Sequence, residues 1–263
     1  MPRSWWTIKK QLLGISVLGF ILLMPLATIA ADLAAIKQRG NLIVGVKDNL
    51  RPLGFVGTDG QLQGFEIDIA RRLAQELLGR PDAIVLQPVL NQDRLNTVLE
   101  GNVDLAIARM TLTPARSRIV DFSIPYYTDG TVLVTRDPKL RFAQDAASQG
   151  TIAVLNDSKT IEIIRYRFPK ATLLGVNSYQ AAKDALDQGQ AIAFAADASV
   201  LTGWVQEFSE YRLLSPMLSF EPLAIVLPKG MQYEPLQQRI NELIKQWQAE
   251  GWLRQRAAYW GLP

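Results

Sequence analysis

Short apolar runs alternate along this chain with longer stretches of helical periodicity, and most of the runs end in charged or polar residues. Residues 41–46, 83–86, 103–108, 131–135, 151–155, 172–176, 191–196 and 223–227 read as buried strands. Residues 65–78 place Phe65, Ile69, Leu73, Leu77 and Leu78 on one helical face, with Gly79 as the stop. Similar reasoning predicts helices over 33–39, 91–99, 160–167, 178–187, 198–208, 233–247 and 252–260. Residues 55–63 form a small hairpin turning at Thr58-Asp59-Gly60. Strands alternating with helices in this way predict α/β architecture, a mostly parallel sheet covered by helices. The element order recurs after residue 151, so each half is expected to form one lobe.

The first residues do not belong to that pattern. Arg3, Lys9 and Lys10 precede an apolar run from Leu12 to Leu26, and small residues follow at Ala27-Thr28-Ile29-Ala30-Ala31. This order is that of a secretory signal peptide over residues 1–31, cleaved after Ala30 or Ala31. The run is shorter than the roughly 20 residues that span a bilayer. The chain has 28 basic and 25 acidic residues, and the three basic residues of the leader account for the whole excess. The mature protein is therefore neutral, with nothing to favour nucleic acid. It has no Cys and no His. Disulfides, thiol nucleophiles, imidazole bases and the usual zinc ligands are excluded. With no cysteine to carry a lipid, the mature protein is expected to be untethered.

The most informative stretch is VDLAIARMTLTPARSRIVDFSIPYYTDG, from Val103 to Gly130. A strand ends at Arg109, then Thr111, Thr113, Pro114 and Arg116 follow. Thr113 before Pro114 predicts a helix start, because a hydroxyl caps free N–H groups and proline tolerates the first turn. Arg116 in that turn, with the Thr111 backbone, predicts a carboxylate site. Ligands in open α/β sheets sit beyond the carboxyl ends of strands. Those ends carry Lys47 and Asp48, Arg109 and Thr111, Asn156-Asp157-Ser158-Lys159, and Asp197. Arg94 joins them if its helix returns to the same edge. A ligand bearing both charges needs an anion site and a carboxylate, and Arg116 and Asp197 are the candidates for the two. Each of these charges taken singly reads as a solvated surface residue; their coincidence at strand ends favours a site.

The pattern Asp104, Thr111, Thr113, Arg116, Asp121-Phe122-Ser123 and Pro125-Tyr126 resembles that of the bacterial extracytoplasmic solute-binding proteins for polar amino acids, family 3. These are the binding components of ABC importers. The resemblance extends through residues 40–46, Gly64-Phe65-Glu66-Ile67-Asp68, residues 193–197, Leu227-Pro228-Lys229-Gly230 and Tyr259-Trp260-Gly261. It implies a type II periplasmic-binding-protein fold of two lobes, 32–128 plus 222–263 and 129–221. Two hinge strands would run near 127–130 and 219–222. It implies Arg116 and Thr111 on the ligand α-carboxylate, Asp197 on the ammonium and Ser158 as a contact from the second lobe. Asp48 and Leu50 match pocket positions, and Asn91 falls where many members place an aromatic lid.

This chain departs from the family at Leu50 and Asn91, which are not aromatic, and at Arg109, where a small residue is common. Its second-lobe loop is also not the glycine-rich form. Asn91-Gln92-Asp93-Arg94 resembles the helix start of glutamate and aspartate binders. Counting Arg94, Arg109 and Lys47 or Lys159 against Asp48 leaves a positive surplus, which favours an acidic or neutral polar amino acid. The implied protein is a periplasmic monomer without cofactor, metal or catalytic residue, partnered by a permease and ATPase of the inner membrane. Two alternatives share the fold. One is a cyclohexadienyl or arogenate dehydratase, for which Asp48, Asp157 and Lys159 are formally available. The other is the ligand-binding component of a sensor.

Overall fold

The computed structural model describes residues 31–263. The expected leader lies, but for its last residue, outside the described residues. Among these no helix is long and apolar enough to cross a membrane. Helix α1 (Leu33–Arg39) starts where Asp32 Oδ1 accepts the Ala35 N–H at 2.8 Å and stops at Gly40, φ 75°. That left-handed stop suits glycine because it has no Cβ. Strand β1 (Leu42–Val46) follows, then a small antiparallel sheet of β2 (Asn49–Leu50), β3 (Gly54–Val56) and β4 (Leu62–Gln63). Val56 pairs with Leu62 across the expected turn. Helix α2 (Phe65–Leu78), β5 (Ile84–Pro88), α3 (Asn96–Leu99), β6 (Leu105–Ile107) and β7 (Asp121–Phe122) complete this part.

Strand β8 (Tyr127–Asp129) leads into a second unit. It contains β9 (Thr131–Thr135), α4 (Ala143–Gln149), β10 (Thr151–Leu155), α5 (Thr160–Arg167), β11 (Thr172–Val176), α6 (Tyr179–Asp187), β12 (Ala193–Asp197), α7 (Ala198–Glu207) and β13 (Arg212–Leu214). Strand β14 (Glu221–Leu223) returns beside β8, and β15 (Val226–Leu227), α8 (Glu234–Ala249) and α9 (Trp252–Tyr259) close the chain.

Two five-stranded sheets result, in the orders β5-β1-β6-β15-β7 and β11-β10-β12-β9-β13. Each is mixed. β1 runs parallel to β5 and β6, and β10 runs parallel to β11 and β12. One strand in each sheet runs the other way: β15 is antiparallel to its neighbours β6 and β7, and β9 to its neighbours β12 and β13. Helices cover both faces, so the central strands are apolar throughout; along β1, Leu42, Val44 and Val46 on one face are fully buried, and on the other Gly45 is buried and Ile43 partly so. α2, α8 and α9 contribute Phe65, Leu73, Ile240, Trp247 and Leu253 to the first core, and Phe194, Leu201 and Trp204 centre the second. Burying each such side chain stabilises the fold by about 1.5–3 kcal/mol. This is the two-lobed type II periplasmic-binding-protein architecture, with β8 and β14 as the paired strands between lobes.

Several motif residues serve this frame. Asp104 Oδ2 accepts the Ile43 N–H at 2.8 Å and pairs with Arg39. Asp68 holds Arg256 and the Trp260 indole N–H. Ser123 Oγ accepts the Ile225 N–H at 2.9 Å.

Three expected elements differ. The helix expected after Pro114 is only a 3₁₀ turn, Arg116–Arg118. The chain must turn at once into β7, and the Ile119 and Val120 N–H groups both fold back onto the Arg116 carbonyl. The helix expected over 91–99 shortens to α3, because Arg94 anchors the preceding turns to strand-end carbonyls. The run 223–227 divides between β14 and β15, since Leu223 bridges Thr111 and the Ala224 N–H donates to Met110. Strands β7 and β13 and helix α4 had no counterpart in the sequence reading.

Candidate functional site

The site forms where β6 and β12 end. Arg109 follows β6 with φ 49°, a left-handed conformation that a residue with a Cβ rarely adopts. Both of its backbone groups are held. Its N–H donates to Glu66 Oε1 at 2.7 Å, and its carbonyl accepts from Arg94 Nη1 at 2.9 Å. Glu66, on α2, is fully buried; the Tyr126 hydroxyl donates to the same Oε1, while Oε2 has no partner among the described residues. Burial raises the pKa of both the Glu66 carboxyl and the Tyr126 phenol. From this anchor the Arg109 guanidinium reaches the second lobe. Nη2 pairs with Asp197 Oδ2, and Nε lies 3.7 Å from Asp129 Oδ2.

Asp129 and Asp197 divide their work in a way that only the fold reveals. Asp197 occupies the N-cap position of α7 but makes no side-chain capping bond. Asp129, from β8, takes that role: its Oδ1 accepts the Ser199 N–H at 3.0 Å, and Oδ2 accepts from Ser199 Oγ. The Asp197 carboxylate is thereby left for Arg109.

On the first lobe, Thr111 faces Leu223 as an isolated bridge, flanked by Leu112 N–H to Pro222 and Ala224 N–H to Met110. Alternation along such a bridge turns the Thr111 N–H and carbonyl to the opposite side. There the carbonyl accepts from Arg116 Nη1 at 2.8 Å. A backbone donor and an oriented guanidinium thus share one side, the geometry a carboxylate requires. Thr113 Oγ1 accepts the Arg116 N–H at 3.4 Å and sets the turn.

Arg94 lies behind this pair. Its Nε and Nη1 donate to the carbonyls of Asn91, Ala108 and Arg109, each at 2.9 Å. Arg94 thus braces the strand end, a role its position in the sequence did not suggest. Burial, with Arg109 and Arg116 close by, pulls its pKa down. Lys47 is buried with Nζ donating to the Val89 carbonyl at 2.8 Å, and burial lowers its pKa too.

The remaining candidates are dispersed. Lys159 pairs with Glu221 on β14, and Ser158 Oγ accepts the Thr160 N–H at 3.2 Å. Asp48 is half-buried, Leu50 packs against the first core and Asn91 is exposed. Glu66, Tyr126, Asp129 and Tyr179 were missed as site residues. For Asp129 the signal present was a carboxylate at the end of a lobe-crossing strand. Tyr179 opens α6; burial raises its phenol, and Arg109 lowers it through its charge. It borders a pocket of about 450 Å3 that Leu50 and Arg51 line from one lobe and Val200, Gly203 and Trp204 from the other. The lobes meet here: Gln206 Nε2 donates to the Trp260 carbonyl at 2.7 Å.

The chain matches the sequence profile of the bacterial extracellular solute-binding proteins, family 3, over residues 42–263. It is 30% identical over 221 residues to the ABC transporter glutamine-binding protein GlnH of Bacillus subtilis (strain 168), covering 83% of this chain and 80% of that protein. It is 35% identical over 195 residues to the glutamine-binding protein of Geobacillus stearothermophilus, covering 73% and 74% of the two chains. Among solved structures, an ancestral cationic amino acid solute-binding protein superimposes with a TM-score of 0.73 at 26% identity, covering 87% of this chain and 98% of that one.

Proposed function

The chain belongs to the bacterial extracellular solute-binding proteins of family 3, and we propose that it binds an acidic or neutral polar amino acid for an ABC importer, glutamate and aspartate foremost. One observation carries the ligand preference. Arg94 Nη1 donates to the Arg109 carbonyl and Arg116 Nη1 to the Thr111 carbonyl two residues on, so three arginines converge on one strand end, and among the described residues Arg109 alone of the three pairs with a carboxylate. Such a cluster favours ligands bringing negative charge. The glutamine-binding relatives support the neutral polar end of the range.

Arg116 and the Thr111 N–H hold the α-carboxylate, and Asp197 accepts the ammonium. Ser158, Asp48, Asn91 and Lys159 on loops, and Leu50 on β2, contact the ligand as the lobes close. The lobes comprise residues 32–128 with 222–263, and 129–221, hinged at β8 and β14. The protein works as a periplasmic monomer freed from its leader, and passes the ligand unchanged to a permease and ATPase. Calorimetric titration with the standard amino acids tests this reading. Glutamate, aspartate or glutamine should bind more tightly than arginine or lysine. A preference for arginine would refute the ligand assignment, and binding of no amino acid would refute the function.

A further inference from the structure

Arg109 differs from the other cations of the cleft in being fixed behind and committed in front. Its strained backbone, φ 49°, is clamped by Glu66 Oε1 on one side and Arg94 Nη1 on the other. Its guanidinium crosses to Asp197, whose carboxylate has no other hydrogen bond or ion pair among the described residues. In the binding mode above, Asp197 is the acceptor for the ligand ammonium. The chain's own cation already stands in that position.

An ammonium therefore reaches Asp197 only by displacing Arg109. The displaced guanidinium has little choice of new partner. Its backbone cannot follow, and its side chain is largely enclosed, 22% exposed. The nearest other carboxylate, Asp129, already accepts the Gly130 N–H, the Ser199 N–H and the Ser199 hydroxyl. A desolvated cation left without a full partner is costly. A ligand that brings a second carboxylate replaces what Arg109 loses, whereas a neutral ligand does not.

We propose that Arg109 is a specificity-determining residue that competes with the ligand ammonium for Asp197, so that the site favours amino acids carrying a second carboxylate. The proposal rests on the amino-acid-binding reading above and adds the residue that sets its charge preference.

The test compares the secreted protein with Arg109→Gly and Arg109→Gln by calorimetric titration with glutamate and glutamine, after thermal unfolding has shown that each variant folds. Glycine relaxes the left-handed backbone; glutamine keeps a side chain without its charge. Both variants should bind glutamine at least tenfold more tightly than the wild type, and the preference for glutamate over glutamine should fall at least tenfold. Glutamine affinity that stays level or drops, or an unchanged preference, would overturn the proposal. Small-angle scattering of the ligand-free proteins gives a readout independent of the ligand. Loss of the cross-lobe pair should enlarge the radius of gyration in both variants, and an unchanged radius would overturn it. Failure of the wild type and both variants to bind any amino acid would instead refute the underlying functional reading.

Discussion

Gly203 offers a direct test of whether the lobes close on a ligand in the arrangement seen here. It lies within α7 and is buried against the opposite lobe. A Cβ added at Gly203 would stand 2.3 Å from the Arg51 carbonyl oxygen and 3.0 Å from its carbon. An ordinary carbon–oxygen approach is about 3.3 Å or more, so Gly203→Ala forces the surfaces apart by about 1 Å. Neither side yields easily. α7 is pinned by the buried Leu201 and Trp204, and the opposing loop by the fully buried Leu53. The displacement therefore falls on the cleft.

Such a shift would stretch the Gln206–Trp260 bond from 2.7 Å beyond hydrogen-bonding reach. That loss costs about 1 kcal/mol, and lengthening the ligand's own cross-lobe charge contact adds a similar amount. Together they lower affinity by roughly thirtyfold. Without ligand the variant opens to escape the clash, and replacing a mid-helix glycine by alanine stabilises a helix by about 0.5–1 kcal/mol. Calorimetric titration should thus show weakened binding while ligand-free melting is unchanged or slightly raised. Affinity within threefold of the wild type would refute the closure geometry. A fall in melting temperature parallel to the fall in affinity would show that the contact belongs to folding instead.

Other consequences are open to measurement. Arg116→Ala should cost about 2–5 kcal/mol of ligand binding by leaving a desolvated carboxylate unpaired; a loss below tenfold in a folded variant would mean that another arginine holds it. Because burial raises the Glu66 pKa above its ordinary 4.5, the folded state binds more protons there than the unfolded chain, and stability falls as pH rises past that value. Glu66→Gln removes this titration, so the stability difference between wild type and variant, from urea unfolding across pH 4–8, should shift against the wild type as pH rises; a pH-independent difference would contradict it. Mass analysis of the secreted protein should show loss of the first 30 or 31 residues, and a full-length product in membranes would refute the leader assignment.

Much of the framework was legible because it is written in local chemistry. Asp32 and Gly40 bracket α1 by a cap and a left-handed stop. The spacing of Phe65, Ile69 and Leu73 defines α2, and the apolar runs at 151–155 and 172–176 coincide with β10 and β11. The strand-end rule likewise pointed to Arg109, Thr111 and Asp197. What these charges do with one another was beyond the sequence. Arg94 and Lys159 read as ligand-facing cations, yet one braces backbone carbonyls and the other pairs with Glu221. Only the crossing at β8 brings Asp129 to the start of α7, and so releases Asp197 to Arg109. Caps and periodicity act within a few residues and can be read along the chain. An ion pair depends on which strand ends the packed lobes bring within a few ångströms, and on which carboxylate a distant helix has already engaged; the tertiary fold alone decides both.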